Sequence, residues 1–304
     1  MDYKRANRAY LYMILATLAL VLIFTAWTFR AGGNFSIIAN NLFSELVILI
    51  PAIATILYNG DRLGVVIPFK RIRVSSALMT VLYVVLLFPL VTFINSISML
   101  FVDNTIVELS DQILMMPMWQ MFLSIGLFGP FVEEVVFRGF FLQSYQRTGR
   151  IIGSMILSSI LFGMMHMNFN QFAYGAVMGI MLALLYEATG TITTSFLAHA
   201  TFNTIEVVMM YANSSALDEA TAVAEDYLGT SGLDAVYYVY LLVAAVIFTV
   251  GAILILRRIA AIEGRREFLD GIPKRCRFGV ELITFPQILA MMISIAYMVF
   301  YSLL

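Results

Sequence analysis

Pro130-Phe131-Val132-Glu133-Glu134-Val135-Val136-Phe137-Arg138-Gly139-Phe140-Phe141 is the stretch that decides the fold. Two carboxylates and a guanidinium stand inside an apolar run that begins near Met118. On insertion scales each such charge costs about 2.5–3.5 kcal/mol at mid-bilayer, so three uncompensated charges would cost roughly 8–10 kcal/mol. They must therefore pair or face a polar cavity. Glu134 and Arg138 are four residues apart and share one face of a helix, which predicts an ion pair. Glu133 lies about 100° round the same helix and has no local partner. Pro130 has no N–H to give the carbonyl of Gly126, and with Gly126 and Gly129 it predicts a kink just before the acid. A kink beside an unpaired intramembrane carboxylate points to a site.

The rest of the chain agrees that this run lies in lipid. Its 304 residues are 61% hydrophobic and only 12% charged, with a mean hydropathy of +0.91, outside the range of ordinary soluble domains. Ten-residue alternating strand patterns are absent, which argues against an outer-membrane barrel. The formal net charge of −1 removes nucleic acid as a partner. We expect an all-α, polytopic transmembrane bundle of eight to nine spans with a catalytic core of kinked helices. It forms a single integral-membrane domain over 1–304 with its motifs in about 117–211.

Apolar runs predict spans at 10–29, 41–58, 74–101, 117–145, 151–167, 171–188, 191–211, 234–256 and 281–304. The first exceeds a signal-peptide core in length and lacks a small-x-small cleavage site, so it reads as retained. Glu45 and Pro51 weaken the second, leaving a re-entrant or interfacial segment as its alternative. Pro89 predicts a kink or tilt in the third.

Of 18 Lys and Arg, sixteen fall in alternate connections: 1–9, 59–73, Arg147 with Arg150, and 257–277. The intervening loops around 103–111 and 212–234 carry acids and no base, and only Arg30 and Arg138 break the pattern. By the positive-inside rule the N-terminus is cytoplasmic and the protein sits in the cell membrane. The basic 257–277 segment reads as topogenic, and Cys276 within it as a free loop thiol.

Both histidines of the chain lie within predicted spans: Phe162-Gly163-Met164-Met165-His166, and His199-Ala200-Thr201-Phe202-Asn203. Intramembrane His and Asn usually face a bundle interior or a wet cavity. Glu133 lies 14 residues from Arg147, and His166 lies 16 from Arg150, or about 21 and 24 Å at helical rise. Counted from Thr191, Asn203 is about 18 Å deep and His199 about 12 Å, a turn away. An acid, an imidazole and an amide in one layer suit water activation, with a second imidazole and the amide able to donate to an oxyanion. Two His and two Glu are also a donor set that zinc accepts. However, no His-Glu-x-x-His occurs, so water activation without a metal is the expectation and zinc through Glu133, His166 and His199 the alternative.

The Glu-Glu-x-x-x-Arg of 133–138, the Phe-x-x-x-His of 162–166 and the His-x-x-x-Asn of 199–203 resemble the three motifs of the CAAX prenyl protease and bacteriocin-processing (CPBP, or Abi) family of intramembrane proteases. The resemblance covers about 117–211. It implies that Glu133 with His166 activates water, that His199 and Asn203 form the oxyanion site, and that Glu134 and Arg138 support the geometry. It further implies a substrate at the lipid bilayer that is a peptide or a protein, lipid-modified ones included. Gly229-Thr230-Ser231-Gly232 matches a rhomboid-like Gly-x-Ser-Gly, but it falls in an acidic loop. Two other function classes compete. A proton-coupled small-solute transporter also uses intramembrane acids and histidines, though no inverted repeat is present. An inert scaffold or immunity protein would not depend on Glu133.

Overall fold

Apolar runs of about twenty residues in which few helix breakers interrupt the hydrogen-bond ladder satisfy every backbone group internally, the condition for a segment to lie in lipid. The computed structural model describes residues 2–32, 36–102, 104, 110–212, 231–273 and 281–303. Among these, nine long helical runs occur, matching the nine apolar runs. They are α1 (Tyr3–Ala31), α2 (Ile37–Tyr58), α3 (Val74–Ser98), α4 (118–146, in five windings), α5 (Ile151–Met165), α6 (Phe169–Thr189), α7 (Ile192–Ala212), α8 (Ser231–Ile262) and α9 (Phe285–Tyr301). No strand occurs among the described residues.

Local sequence sets several ends. Asp2, Ser36 and Asn168 each accept a backbone N–H from the first turn of the following helix, as N-cap residues do. Gly190 ends α6 in the left-handed region, φ 69°, with its N–H returned to the Tyr186 carbonyl; only glycine enters that region without strain.

Among the described residues, five helices are long and apolar enough to cross a membrane: Tyr3–Arg30, Ile37–Tyr58, Val74–Ser98, Phe169–Thr189 and Ala235–Ile262. That is fewer than the nine expected. Helices α5 and α9 are apolar but shorter, α4 is divided, and α7 has its apolar run diluted by Thr193, Thr194, Ser195, His199, Asn203 and Glu206. The doubtful second segment is one continuous 22-residue helix that runs through Pro51.

Helices α1, α2 and α9 form one flank, α3 and α8 the other, and α4, α5, α6 and α7 lie between them. The basic connections gather at a single end. Arg147 pairs with Asp61 at 3.1 Å, Arg5 hydrogen-bonds Asn59, and Arg265 donates to the Glu187 carbonyl at 3.1 Å. The N–H of Ile192 reaches the Pro68 carbonyl at 3.0 Å, and Asn7 donates to the carbonyl of Leu282 at 2.8 Å. The basic connections that alternate along the sequence thus share one end of the bundle. Cys276 with its basic neighbours, residues 103 and 105–109 and the whole acidic 213–230 loop lie outside the described residues.

Candidate active site

The winding of α4 places the first motif. Residues Phe122–Phe128 and Val135–Phe141 are π-helical, flanking the α-helical turn Gly129–Glu134. In the first π segment the N–H of Gly129 reaches the carbonyl of Ser124, five residues back. The next carbonyl, that of Ile125, would need the N–H of residue 130, which proline lacks. Asn203 fills the gap, donating Nδ2 to the Ile125 oxygen at 3.1 Å. The expected kink at Gly126 is therefore a widened turn displaced by one residue, and its free carbonyl is satisfied from another helix. π-Windings inside α-helices are frequent at functional sites.

Glu134 and Arg138 form the predicted pair, Nη1 to Oε1 at 2.7 Å, with both side chains almost wholly buried. The guanidinium also donates from Nη2 to the Gly179 carbonyl at 3.0 Å and lies over the Phe162 ring, 4.7 Å from its centroid. Oε1 of Glu134 takes a second hydrogen bond, from Nδ1 of His199 at 3.1 Å. A carboxylate only accepts, so Nδ1 of His199 carries the hydrogen. Nε2 of the same ring then faces Oε2 of Glu133 at 3.4 Å.

Glu133 is thus partnered, though not from its own helix. His199 approaches it from α7, and Nε2 of His166 stands 3.9 Å from Oε1 on the other side. Exposure falls from His166 at 22% through Glu133 at 16% to His199 at 6%, so the open side of the group is that of His166. Nδ1 of His166 is bound to the Phe162 carbonyl at 3.1 Å; a carbonyl accepts, which leaves the Nε2 lone pair directed toward the acid. Phe162 packs edge-on against both imidazoles, at 5.2 and 5.6 Å between centroids, so the two rings and the guanidinium all contact one phenyl ring.

His166 owes its position to features outside the motifs. It closes α5, and Met167 follows in the left-handed region, φ 57°, a conformation that costs a non-glycine residue about 1–2 kcal/mol. Asn168 then turns the chain into α6: its side chain caps the Gln171 N–H and also donates to the His166 carbonyl at 3.1 Å. Helices α5 and α6 cross through small residues. A methyl group on Gly163 would stand 2.7 Å from the Phe172 carbonyl, and one on Gly179 2.8 Å from Cβ of Ser159. The same crossing delivers the Gly179 carbonyl to Arg138. Sequence reasoning passed over Asn168, Gly163 and Gly179; the Gly-x-x-x-Gly of 175–179 and an Asn ahead of an apolar run were the available signals.

The structure therefore brings together Glu133, Glu134, Arg138, His166 and His199 from three helices. Asn203 lies one turn beyond His199 and hydrogen-bonds α4 rather than the acid or an imidazole. The depth count placed His199 a turn away from Glu133, yet it is the nearer of the two histidines. Helix tilt and two π segments break the assumption of upright, ideal helices. Among the described residues no set of three or more His, Cys, Asp and Glu is grouped to hold a metal ion.

Comparison with known proteins bears on the same stretch. Residues 115–205 match the family model described as type II CAAX prenyl endopeptidase Rce1-like. The protein named "Putative membrane peptidase YdiL" of Bacillus subtilis (strain 168) is 32% identical over 85 residues, which cover 28% of this chain. The match spans 34% of that relative's own length. No solved structure matches. The segment that carries all three motifs, residues 115–205, is similar to the Rce1-like type II CAAX prenyl endopeptidases.

Proposed function

We propose that the protein is an intramembrane endopeptidase that hydrolyses peptide bonds of membrane-associated peptides or proteins, including lipid-modified ones, with no metal in the reaction. The observation that carries this reading is Glu133 held between imidazoles from two other helices. At 3.9 Å the gap to His166 is too long for a direct hydrogen bond and suits one bridging water. Such a water donates one hydrogen to Glu133 and one to Nε2 of His166. Its oxygen then attacks the substrate carbonyl as Glu133 takes the proton, and Glu133 returns that proton to the leaving amine.

His199 is anchored through Nδ1 on Glu134; in its imidazolium form Nε2 carries a hydrogen as well, and beside Glu133 it is placed to donate to the developing oxyanion. Asn203 supplies a second donor, because Nδ2 has two hydrogens and the Ile125 carbonyl uses one. Arg138 neutralises Glu134 and so keeps the anchor of His199 in place. The gathering of basic loops at one end supports a cytoplasmic N-terminus and a cell-membrane location. The whole chain acts as one integral-membrane unit.

The test is cleavage of a fluorogenic farnesylated CAAX peptide, beside its unprenylated counterpart, by protein in proteoliposomes. Glu133→Gln preserves shape and removes the base, and is expected to lower kcat by about 10²–10⁴-fold. Cleavage at the wild-type rate by that variant would refute the assigned role.

A further inference from the structure

The four helices around Glu133 are packed differently at their two ends. At the basic end Leu142 of α4, Met155 of α5, Ala183 and Tyr186 of α6 and Ile192 of α7 form one apolar cluster, none of them more than 7% exposed. Ile67 of the basic 59–73 connection packs against it. A methyl group on Gly139 would stand 3.2 Å from both Ile67 and Ile192, so the closure is tight. Between this plug and Glu133 lies a second seal, the buried Glu134–Arg138 pair with the Gly179 carbonyl. Layers packed to this density admit neither water nor an extended peptide.

The opposite end is open. The α5–α6 turn belongs to it: Asn170 donates to Oδ1 of Asn95 at 2.8 Å, in the last turn of α3, a helix that leaves the basic connection at Arg73. His166, the most exposed of the three groups that face one another at Glu133, stands two residues before Asn168 in that turn. A methyl group on Gly175 would lie 4.0 Å from Cε1 of His166, and Gln171, one turn earlier on that stripe of α6, is partly exposed.

Glu206 carries the argument further. It follows His199 by seven residues, so the two lie within about 20° on one stripe of α7, with Glu206 two turns nearer the outer end. His199 is buried against Glu134, whereas Glu206 is exposed. An inward-facing residue that is exposed marks a gap between helices, and an acid within a span faces a wet cavity rather than lipid. The gap therefore holds water and lies on the outer side of Glu133.

Resting on the readings of this group as a peptidase centre and of the basic end as cytoplasmic, we propose that substrate reaches Glu133 from the outer half of the membrane. The class it takes is then a peptide or protein segment on the extracytoplasmic side. The plug keeps the C-terminus of a cytoplasmic protein out of reach.

The test has one arm that needs no catalysis. Cys276 is the one cysteine of the chain and falls in a basic connection, so a membrane-impermeant maleimide should label wild type only after cells are permeabilised. With Cys276→Ser in place, the Glu206→Cys variant should be labelled in intact cells about tenfold faster than Met155→Cys, whose thiol is held in the apolar plug. Labelling of Cys276 in intact cells would overturn the proposal. So would labelling of Glu206→Cys only after permeabilisation or not at all, or fast labelling of Met155→Cys from the cytoplasmic side.

The second arm uses the whole protein in vesicles of either orientation, read from Cys276, with a charged, quenched farnesylated peptide added outside. Because such a peptide does not cross lipid, cleavage should be at least about tenfold faster when the face opposite Cys276 is outward. Equal rates, or faster cleavage from the Cys276 face, overturn the proposal. If neither orientation cleaves, the peptidase reading fails by itself, and the side of access is still decided by the labelling.

Discussion

Replacing Arg138 by Met separates the structural from the chemical part of the site. Met is unbranched and apolar and fills much of the space that the arginine stem occupies, so the cavity contribution is small. The loss comes from polar groups. Arg138 gives a charge-assisted bond of 2.7 Å to Glu134 and one of 3.0 Å to the Gly179 carbonyl, and its charge rests on Phe162. Hydrogen bonds to charged groups contribute roughly 1.5–3 kcal/mol each, and the ring contact about 1 kcal/mol. A larger effect is that Glu134, which has no exposed surface, loses its one guanidinium partner and is left with His199 and Ser195. Breaking a buried pair from one side costs about 3–5 kcal/mol.

We therefore expect Arg138→Met to destabilise the protein by about 3–5 kcal/mol, read as unfolding in mixed micelles with an increasing fraction of dodecyl sulfate. Glu134→Gln combined with Arg138→Met leaves no uncompensated charge and should recover at least half of that loss, so the two changes are strongly non-additive. A single variant within about 1 kcal/mol of wild type, or a double variant equal to the sum of the singles, would show that the pair is not the electrostatic unit described.

Two further substitutions test the frame of the site. Gly163→Ala drives a methyl group to 2.7 Å from the Phe172 carbonyl and 3.0 Å from the Ala176 nitrogen, so α5 and α6 must part; a cost of about 1–3 kcal/mol and a fall in kcat are expected from micelle unfolding and peptide cleavage. Asn203→Ala strips the Ile125 carbonyl of its donor, at about 1–3 kcal/mol, and should speed amide exchange across 118–134 as well as slow cleavage.

The apolar runs predicted nine helices because span length and hydropathy are local properties, and the described helices fall on all nine. The Glu134–Arg138 pair was legible for the same reason: both partners sit on one helix at fixed spacing. What escaped depends on other helices. Glu133 seemed unpartnered because its neighbours, His166 and His199, come from α5 and α7, and their order of approach depends on tilt. The π-windings were read as a kink at Gly126, since a five-residue hydrogen bond is stabilised by a tertiary contact, the Asn203 amide on Ile125, that periodicity does not reveal. Glu45 looked like a flaw in the second apolar run, because nothing in α2 by itself announces that its middle rests on Gly129 of α4.

The two wide turns of α4 also bear on any attempt to rebuild this chemistry elsewhere. Each seven-residue π segment accommodates more chain per turn than an α-helix does, so residues before Phe122 and after Phe141 keep an angular relation to Glu133 that an ideal helix cannot reproduce. A designer who copied residues 118–146 onto a regular helical template would turn the acid away from the imidazoles on either side by a substantial fraction of a revolution. The transferable unit is the irregular rod together with the carboxamide that props it open.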